Sequence, residues 1–196
     1  QVLRVDANEG WTFDGALERL PELARLGVEF VEQPLPAAQL EATRELRKRS
    51  PLPFIADESV HDAADIPKLA GAFDGINLKL AKCGGIAPAR EIIAVARAHG
   101  LKILLGCMIE SSLGIAAALC VAPLVDWLDL DGHLLIADDP FHGLRFANGR
   151  LVPSERPGFG VEPLIATGVE LRDDRYPGRP RGTPSFREGK VRRTGA

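Results

Sequence analysis

The sequence predicts an α/β fold of the (β/α)8 barrel type, present as an incomplete barrel of about six βα units. Short β-rich runs alternate with amphipathic helical stretches over residues 1–135, an alternation that is typical of a parallel sheet. The last polar residue of successive strands also recurs in steps of 26, 25 and 22 residues, at Asp6, Glu32, Asp57 and Lys79. A doubly wound sheet shares this period but gathers its ligands at one crevice, whereas here each strand ends in an ionisable residue.

Each element is placed by composition and hydrophobic periodicity, in chain order. The predicted strands span residues 2–6, 28–32, 54–57, 75–80, 102–106 and 127–131. The predicted helices span residues 16–26, 40–49, 63–70, 88–99 and 112–122, with Gly27 and Gly100 at helix C-caps and Pro88 in a first turn. After residue 131 the alternation stops, and residues 144–153 around Asn148-Gly149 predict a type I′ hairpin.

The number of units and the composition of the C-terminus predict the domain organisation. Six units fit into residues 1–164, whereas barrel closure needs eight, so two strand edges are expected to lack partners. The chain begins with Gln1 and its one methionine is Met108, which suggests the C-terminal portion of a longer protein. Residues 165–196 are basic, rich in Pro and Gly and without apolar period, which predicts a disordered tail whose role the sequence does not reveal.

Composition and charge restrict the classes of partner. With 45% apolar and 26% charged residues, the chain has the balance of a globular protein, and no apolar run reaches the roughly 18 residues of a membrane span. Residues 172–196 carry a net charge of +5 and the remainder carries −8, so we expect no nucleic acid as the main partner. Because no secretory leader opens the chain, the expected location is the cytoplasm.

Three carboxylates, Asp6, Glu32 and Asp57, each end a different predicted strand, and all three should therefore gather at one end of the barrel. Oxygen ligands suit a hard divalent cation, with Mg²⁺ expected and Mn²⁺ as an alternative. An acid after a strand can also simply cap the next helix, but three in series weaken that interpretation. Next to Asp57, Glu58 or Ser59 remains available as the capping group.

Lys79 lies inside an apolar run, between Leu78 and Leu80, where burial of an ammonium group is unfavourable unless the group has a function. It is either a structural lysine or a general base. In the second case, desolvation and a neighbouring cation would lower its pKa from about 10.4 towards neutrality. Lys82, three residues later, would supply that charge or simply face solvent.

The ordered series DANEGW, EQP, ADES, NLKLAKCGG, GCMIESS and WLDLDG resembles the enolase superfamily, in its muconate-cycloisomerase-like subgroup and most closely the dipeptide epimerases of the L-Ala-D/L-Glu type. The resemblance covers nearly all of the chain before the basic tail. It implies an Mg²⁺-dependent isomerase that epimerises dipeptides by removing and returning an α-proton through an enediolate. It matches Asp6, Glu32 and Asp57 to the metal ligands of the family, Asn8 to the outer coordination sphere, and Lys79 to one of two acid/base lysines.

Asp129 and Asp131 match the acidic pair that holds the free ammonium group of the substrate in dipeptide epimerases. Two residues apart on a strand, the two side chains should point to the same side, where a cationic amine would offset their repulsion. The alternative is a surface acidic pair. This motif separates epimerases from cycloisomerases, so the substrate class depends on it.

Two parts of the family's site are not present in this chain: a Lys-x-Lys on the second barrel strand and the N-terminal capping domain. We expect the missing strands and the cap to come from the same full-length protein, and the fragment alone to be inactive or impaired. A cycloisomerase or o-succinylbenzoate synthase of the same superfamily and a catalytically silent fragment stay open as alternatives. The identity of the dipeptide and the oligomeric state are not decided by the sequence, and a homo-oligomer stays open.

Overall fold

The computed structural model describes residues 2–164 of the chain. Within them, six strands form one parallel sheet whose spatial order is the order in the sequence. The strands are β1 (Leu3–Asp6), β2 (Val28–Glu32), β3 (Phe54–Ala56), β4 (Gly75–Lys79), β5 (Lys102–Gly106) and β6 (Trp127–Leu128). This arrangement confirms the predicted α/β fold as a parallel half-barrel sheet. The predicted tail, residues 165–196, lies outside the described residues, so the domain boundary at residue 164 stays a prediction.

The helices between the strands follow the predicted pattern, with shifted ends. They are α1 (Phe13–Arg25), α2 (Leu40–Arg49), α3 (Ile66–Leu69), α4 (Leu80–Cys83), α5 (Ile86–Ala98) and α6 (Ser112–Leu119). Helix α1 begins earlier than predicted because the Thr12 hydroxyl caps it, accepting a hydrogen bond from the backbone N of Gly15 at 3.2 Å. The single turn α4 was not predicted. No helix in residues 2–164 is both long enough and apolar enough to cross a membrane.

The turns adopt the conformations that their residues favour. Gly27 and Gly100 follow α1 and α5 with φ of 78° and 72°, which confirms the predicted helix ends. After the parallel sheet, β7 (Phe141–His142) pairs with β10 (Glu162–Pro163), and β8 (Arg145–Ala147) pairs with β9 (Arg150–Val152). Asn148 and Gly149 join β8 to β9 with φ of 52° and 73°, so the type I′ hairpin is confirmed.

The sheet curves strongly, and its concave side is filled by a small apolar cluster. Phe30, Ile55 and Leu104 are buried there, and Trp127 packs against them. The rings of Phe30 and Trp127 lie 5.1 Å apart between centroids, and the indole N–H donates to Glu29 Oε1 at 3.1 Å. Because these residues belong to β2 and β6, which are four strands apart in the sheet, their contact requires the sheet to curl. The larger core lies between the sheet and the helices.

Both edges of the sheet are open in residues 2–164. There, β1 pairs only with β2 and β6 pairs only with β5. Leu3 and Leu128, on these two edge strands, are 53% and 47% exposed. This part of the chain therefore does not close the sheet into a barrel by itself, in agreement with the expected unpaired edges.

Two aspartates fasten the N-terminal ends of the strands in the same way. Asp74, just before β4, accepts hydrogen bonds from the backbone N of Phe54 at 2.8 Å and from Arg47 Nη2 at 2.6 Å. Asp126, just before β6, accepts hydrogen bonds from the backbone N of Ile103 in β5 at 2.8 Å and from Arg97 Nη1 at 2.6 Å. Each aspartate thus joins the end of one helix to two neighbouring strands. These contacts lie at the N-terminal ends of the strands, opposite the ends that carry Asp6, Glu32 and Lys79.

Asp74→Ala is expected to lower the free energy of unfolding by about 1–3 kcal/mol, because it removes acceptors from Arg47 and from the backbone of β3. Urea unfolding followed by circular dichroism measures this change. Glu91→Ala, at an exposed carboxylate on α5, is the matched control and should change the free energy by less than about 0.5 kcal/mol. Equal effects of the two substitutions would contradict the fastening role.

Candidate active site

The carboxyl ends of the strands surround a cavity of about 270 Å³. Five predicted site residues line it together: Asp6, Glu32, Lys79, Asp129 and Asp131. They come from β1, β2 and β4 and from the segment after β6, so residues far apart in the sequence meet at one end of the sheet. Asp57, Lys82 and Asn8 do not line the cavity but contact residues that do or share a partner with them.

Strand register explains why these side chains meet. Asp6 and Glu32 are paired at the ends of β1 and β2, and Lys79 is paired with Gly106 at the ends of β4 and β5. Because neighbouring parallel strands end at the same level, their last inward-facing positions form one ring of side chains. Gly106 has no side chain, which leaves space in that ring for the Asn77 carboxamide.

Asp57 is buried and holds two ammonium groups. Its Oδ2 accepts a hydrogen bond from Lys79 Nζ at 2.6 Å, and its Oδ1 accepts one from Lys82 Nζ at 2.6 Å. Lys82 Nζ also donates to the main-chain O of Asp57. With only 4% of Asp57 exposed, the two lysines compensate a carboxylate that water barely reaches.

Glu32 is the most strongly perturbed acid of the site. It is 6% exposed and accepts a hydrogen bond from Asn77 Nδ2 at 2.6 Å. Burial raises the pKa of Glu32 to about 7, with the negative charges of Asp6 and Asp57 acting in the same direction against the bond from Asn77. The ionised form of Glu32 is therefore unfavourable unless a cation lies nearby.

Asp6 lies at the end of β1. Its Oδ1 accepts a hydrogen bond from the backbone N of Asn8 at 2.8 Å, in a turn where Asn8 has φ of 44°. Burial raises the pKa of Asp6 above its ordinary value, and the charge of Asp57 adds to the effect. Asn8 thus contacts Asp6 directly, in keeping with a place beside the predicted metal ligands.

Lys79 has the opposite pKa shift from the one expected. Burial alone would lower the pKa of Lys79, but the hydrogen bond and charge of Asp57, with the charges of Glu32 and Asp6, raise it above its ordinary value. The expected neighbour, Lys82, does not act on Lys79 as a free cation because it is itself paired with Asp57. In this arrangement Lys79 is protonated.

Asp129 and Asp131 face the cavity together, while Leu130 between them is buried. Strand β6 ends at Leu128, earlier than predicted, although the backbone N of Asp129 still bonds to Leu105 O at 2.9 Å. Burial raises the pKa of Asp129, and the charge of Asp131 raises it further. The charges of Arg4 and Lys79 offset this effect only in part, so the pair concentrates negative charge in the wall of the cavity.

The strand-end carboxylates supply the oxygen atoms that a metal ion could use. In the described part of the chain, no group of three or more His, Cys, Asp or Glu side chains is arranged to hold a metal ion. Both carboxylate oxygens of Asp57 are instead engaged by lysines. The donor set nevertheless fits a hard cation: Asp6 and Glu32 offer oxygen atoms to the same cavity, and all three acids repel one another.

Sequence reasoning missed two polar residues that organise the site, Gln33 and Asn77. The Gln33 side chain is fully buried and uses its whole hydrogen-bonding capacity. It accepts from the backbone N of Asp57 at 3.0 Å and of Ser59 at 3.2 Å, and donates to Leu35 O and Ser59 Oγ, each at 2.9 Å. Gln33 thus ties the end of β2 to the segment that carries Asp57. The sequence signal that could have indicated Gln33 is its place directly after Glu32, the acid that ends β2.

Comparison with known proteins supplies relatives for this site. The chain is 47% identical over 159 residues to a hydrophobic dipeptide epimerase from Flavobacteria bacterium (strain MS024-2A), a match that covers 81% of this chain and 46% of the relative. It is 42% identical over 160 residues to the L-Ala-D/L-Glu epimerase from Bacteroides thetaiotaomicron, with coverage of 81% and 42%. The chain thus spans about half the length of the curated relatives that it matches.

Solved structures agree with these relatives. A dipeptide epimerase from Methylococcus capsulatus, complexed with Mg and the dipeptide L-Arg-D-Lys, superposes with a TM-score of 0.74 at 42% sequence identity, covering 82% of this chain and 47% of that one. The enolase C-terminal domain-like family matches residues 1–166, which include every strand-end residue described above. On its sequence, its half-barrel sheet and these relatives, the chain is a member of the enolase C-terminal domain-like family.

Proposed function

We propose that this chain is the barrel portion of an Mg²⁺-dependent dipeptide epimerase, an isomerase of the enolase superfamily that inverts a carbon next to a carboxylate. One observation carries the proposal: a lysine, two strand-end carboxylates and a separate acidic pair line the same cavity. The named activities of the similar proteins support it. The two strands needed for closure, the second acid/base lysine and the capping domain are proposed to come from the rest of the same protein.

Asp6, Glu32 and Asp57 are proposed as the metal ligands, with Asn8 beside them. Their oxygen atoms are the donors that Mg²⁺ prefers, and Mn²⁺ accepts the same set. When bound, the cation would stabilise negative charge that develops on the substrate carboxylate. The raised pKa of Glu32 supports the assignment, since a buried acid among like charges is stabilised by a cation. To bind the cation, Asp57 would give up its contact with one of the two lysines.

Lys79 is proposed as one acid/base group, with its Nζ as the atom that takes or returns the α-proton. A base needs a free electron pair, so Lys79 has to leave its 2.6 Å contact with Asp57 and lose a proton before it can act. Lys82 keeps two contacts with Asp57, to its Oδ1 and to its main-chain O, and can hold that residue in place meanwhile. The proposed division is one lysine for chemistry and one for support.

Asp129 and Asp131 are proposed to bind the free ammonium group of the dipeptide. The negative charge of Asp131 raises the pKa of Asp129, and a cationic ligand would offset this repulsion. A cycloisomerase substrate without an amine would offer the pair no further cation, which favours the epimerase over that alternative. Relatives of similar identity are named for hydrophobic, Ala-Glu and Lys-Arg dipeptides, so the proposal extends to dipeptides as a class and to no particular side chain.

Glu32→Gln is expected to abolish binding of Mg²⁺ to the 196-residue chain in isothermal titration calorimetry, because it removes one anionic ligand. Glu18→Gln, at an exposed glutamate of α1, should bind like the unmodified chain. Absence of binding by the unmodified chain would instead favour a silent fragment, and equal binding by both variants would remove Glu32 from the metal site.

Without metal, Glu32→Gln is expected to stabilise the chain at pH 8 but not at pH 4.5. The pKa of Glu32 is about 7 in the fold against 4.5 in the unfolded chain, so its ionisation opposes folding. Its contribution to stability is greatest below pH 4.5 and is lost as the pH rises through 7. Urea unfolding in a chelating buffer should show a gain on the order of 1–3 kcal/mol at pH 8. A gain that is equal at both pH values would contradict the raised pKa.

Asp129→Asn in the complete enzyme is expected to lower kcat/KM for a free-amine dipeptide by about 100-fold, because one charge of the ammonium site is lost. Deuterium incorporation at the α-carbon measures turnover. The N-acetylated dipeptide, which has no ammonium group, should react poorly with the unmodified enzyme and lose little more in the variant. A similar loss for both substrates would argue against amine recognition by Asp129.

A further inference from the structure

Asn77 connects two strands that are not neighbours. It lies in the middle of β4, yet its Nδ2 donates to Glu32 Oε1 at the end of β2, at 2.6 Å, so the contact passes over β3 on the concave side of the sheet. Only 4% of Asn77 and 6% of Glu32 are exposed. In the described residues this is the one side-chain hydrogen bond that reaches the Glu32 carboxylate.

Gly106 on β5 makes room for this carboxamide. A Cβ at position 106 would lie 2.4 Å from Asn77 Oδ1, 2.9 Å from Nδ2 and 3.0 Å from Cγ, all inside normal van der Waals contact. Its backbone is extended, so no special φ explains the glycine. The absence of a side chain at 106 and the position of the Asn77 amide are therefore two parts of one arrangement.

Fold stability alone does not account for Asn77. Its Oδ1 is buried without a hydrogen-bond partner in residues 2–164, and an unsatisfied buried acceptor is unfavourable. A leucine of similar size would fill the same space without that penalty. What the amide does provide is a donor of fixed direction at Glu32, beside the cavity that both residues line.

We propose that Asn77 is a positioning residue that orients Glu32 for metal binding, and that Gly106 is glycine because the Asn77 carboxamide occupies its side-chain space. The inference rests on the proposed Mg²⁺ site and deepens it, since it assigns the direction of one ligand to residues outside the proposed ligand set. Outer partners that hydrogen-bond to a ligating carboxylate fix its orientation and strengthen binding.

Asn77→Leu should weaken Mg²⁺ binding to the 196-residue chain about 10- to 100-fold in isothermal titration calorimetry, while its circular dichroism spectrum stays that of the unmodified chain. Unchanged affinity in this variant would overturn the inference while the metal site stands. No binding by the unmodified chain would overturn the metal site and this inference with it.

A double-mutant cycle gives a second test that does not depend on the leucine variant folding. Gly106→Ala should weaken Mg²⁺ binding by a similar factor in the unmodified background, because the new methyl group displaces the Asn77 amide. In the Asn77→Ala background it should cause no further loss, since the amide is already gone. Additive losses across the cycle would show that Gly106 acts independently of Asn77 and would overturn the arrangement.

Discussion

Repulsion among carboxylates at the strand ends is the constraint around which this molecule is arranged. A parallel sheet brings the last inward-facing residue of every strand to the same level, and here several of those residues are acids. The fold compensates each one differently. Asp57 receives two lysines, Glu32 receives an amide, and Asp6 receives a backbone N–H. Compensation is incomplete at Glu32, whose pKa rises to about 7. A bound cation would offset the remaining cost of its negative charge.

The two ends of the sheet carry different tasks. At the N-terminal ends, Asp74 and Asp126 are fully used in hydrogen bonds to arginines and strand backbone, which joins helices to strands. At the carboxyl ends, Asp129 and Asp131 face the cavity, and within residues 2–164 neither carboxylate accepts a hydrogen bond. The same residue type therefore stabilises the fold at one end and lines the cavity at the other.

The half-barrel is consistent with the lengths of its relatives. Its two edge strands are exposed, and the matched relatives are about twice as long. The concave cluster around Phe30 and Trp127 joins β2 to β6, so the six strands are already curved without the strands that would close a barrel. In the proposal above, the rest of the protein adds strands to both edges, a second lysine facing Lys79, and a cover for the cavity.

The sequence by itself determined most of the elements and of the site residues, although not α4, Gln33 or Asn77. The βα period, the turn glycines and the Asn148-Gly149 pair encode local structure, and a residue at a strand end occupies the same edge in any parallel sheet. Only the tertiary structure decided which groups meet. The pairing of both lysines with Asp57, the raised pKa of Lys79 and the bond from Asn77 to Glu32 join different strands. Such contacts depend on sheet curvature, register and the space left by Gly106, which no local pattern in the sequence specifies.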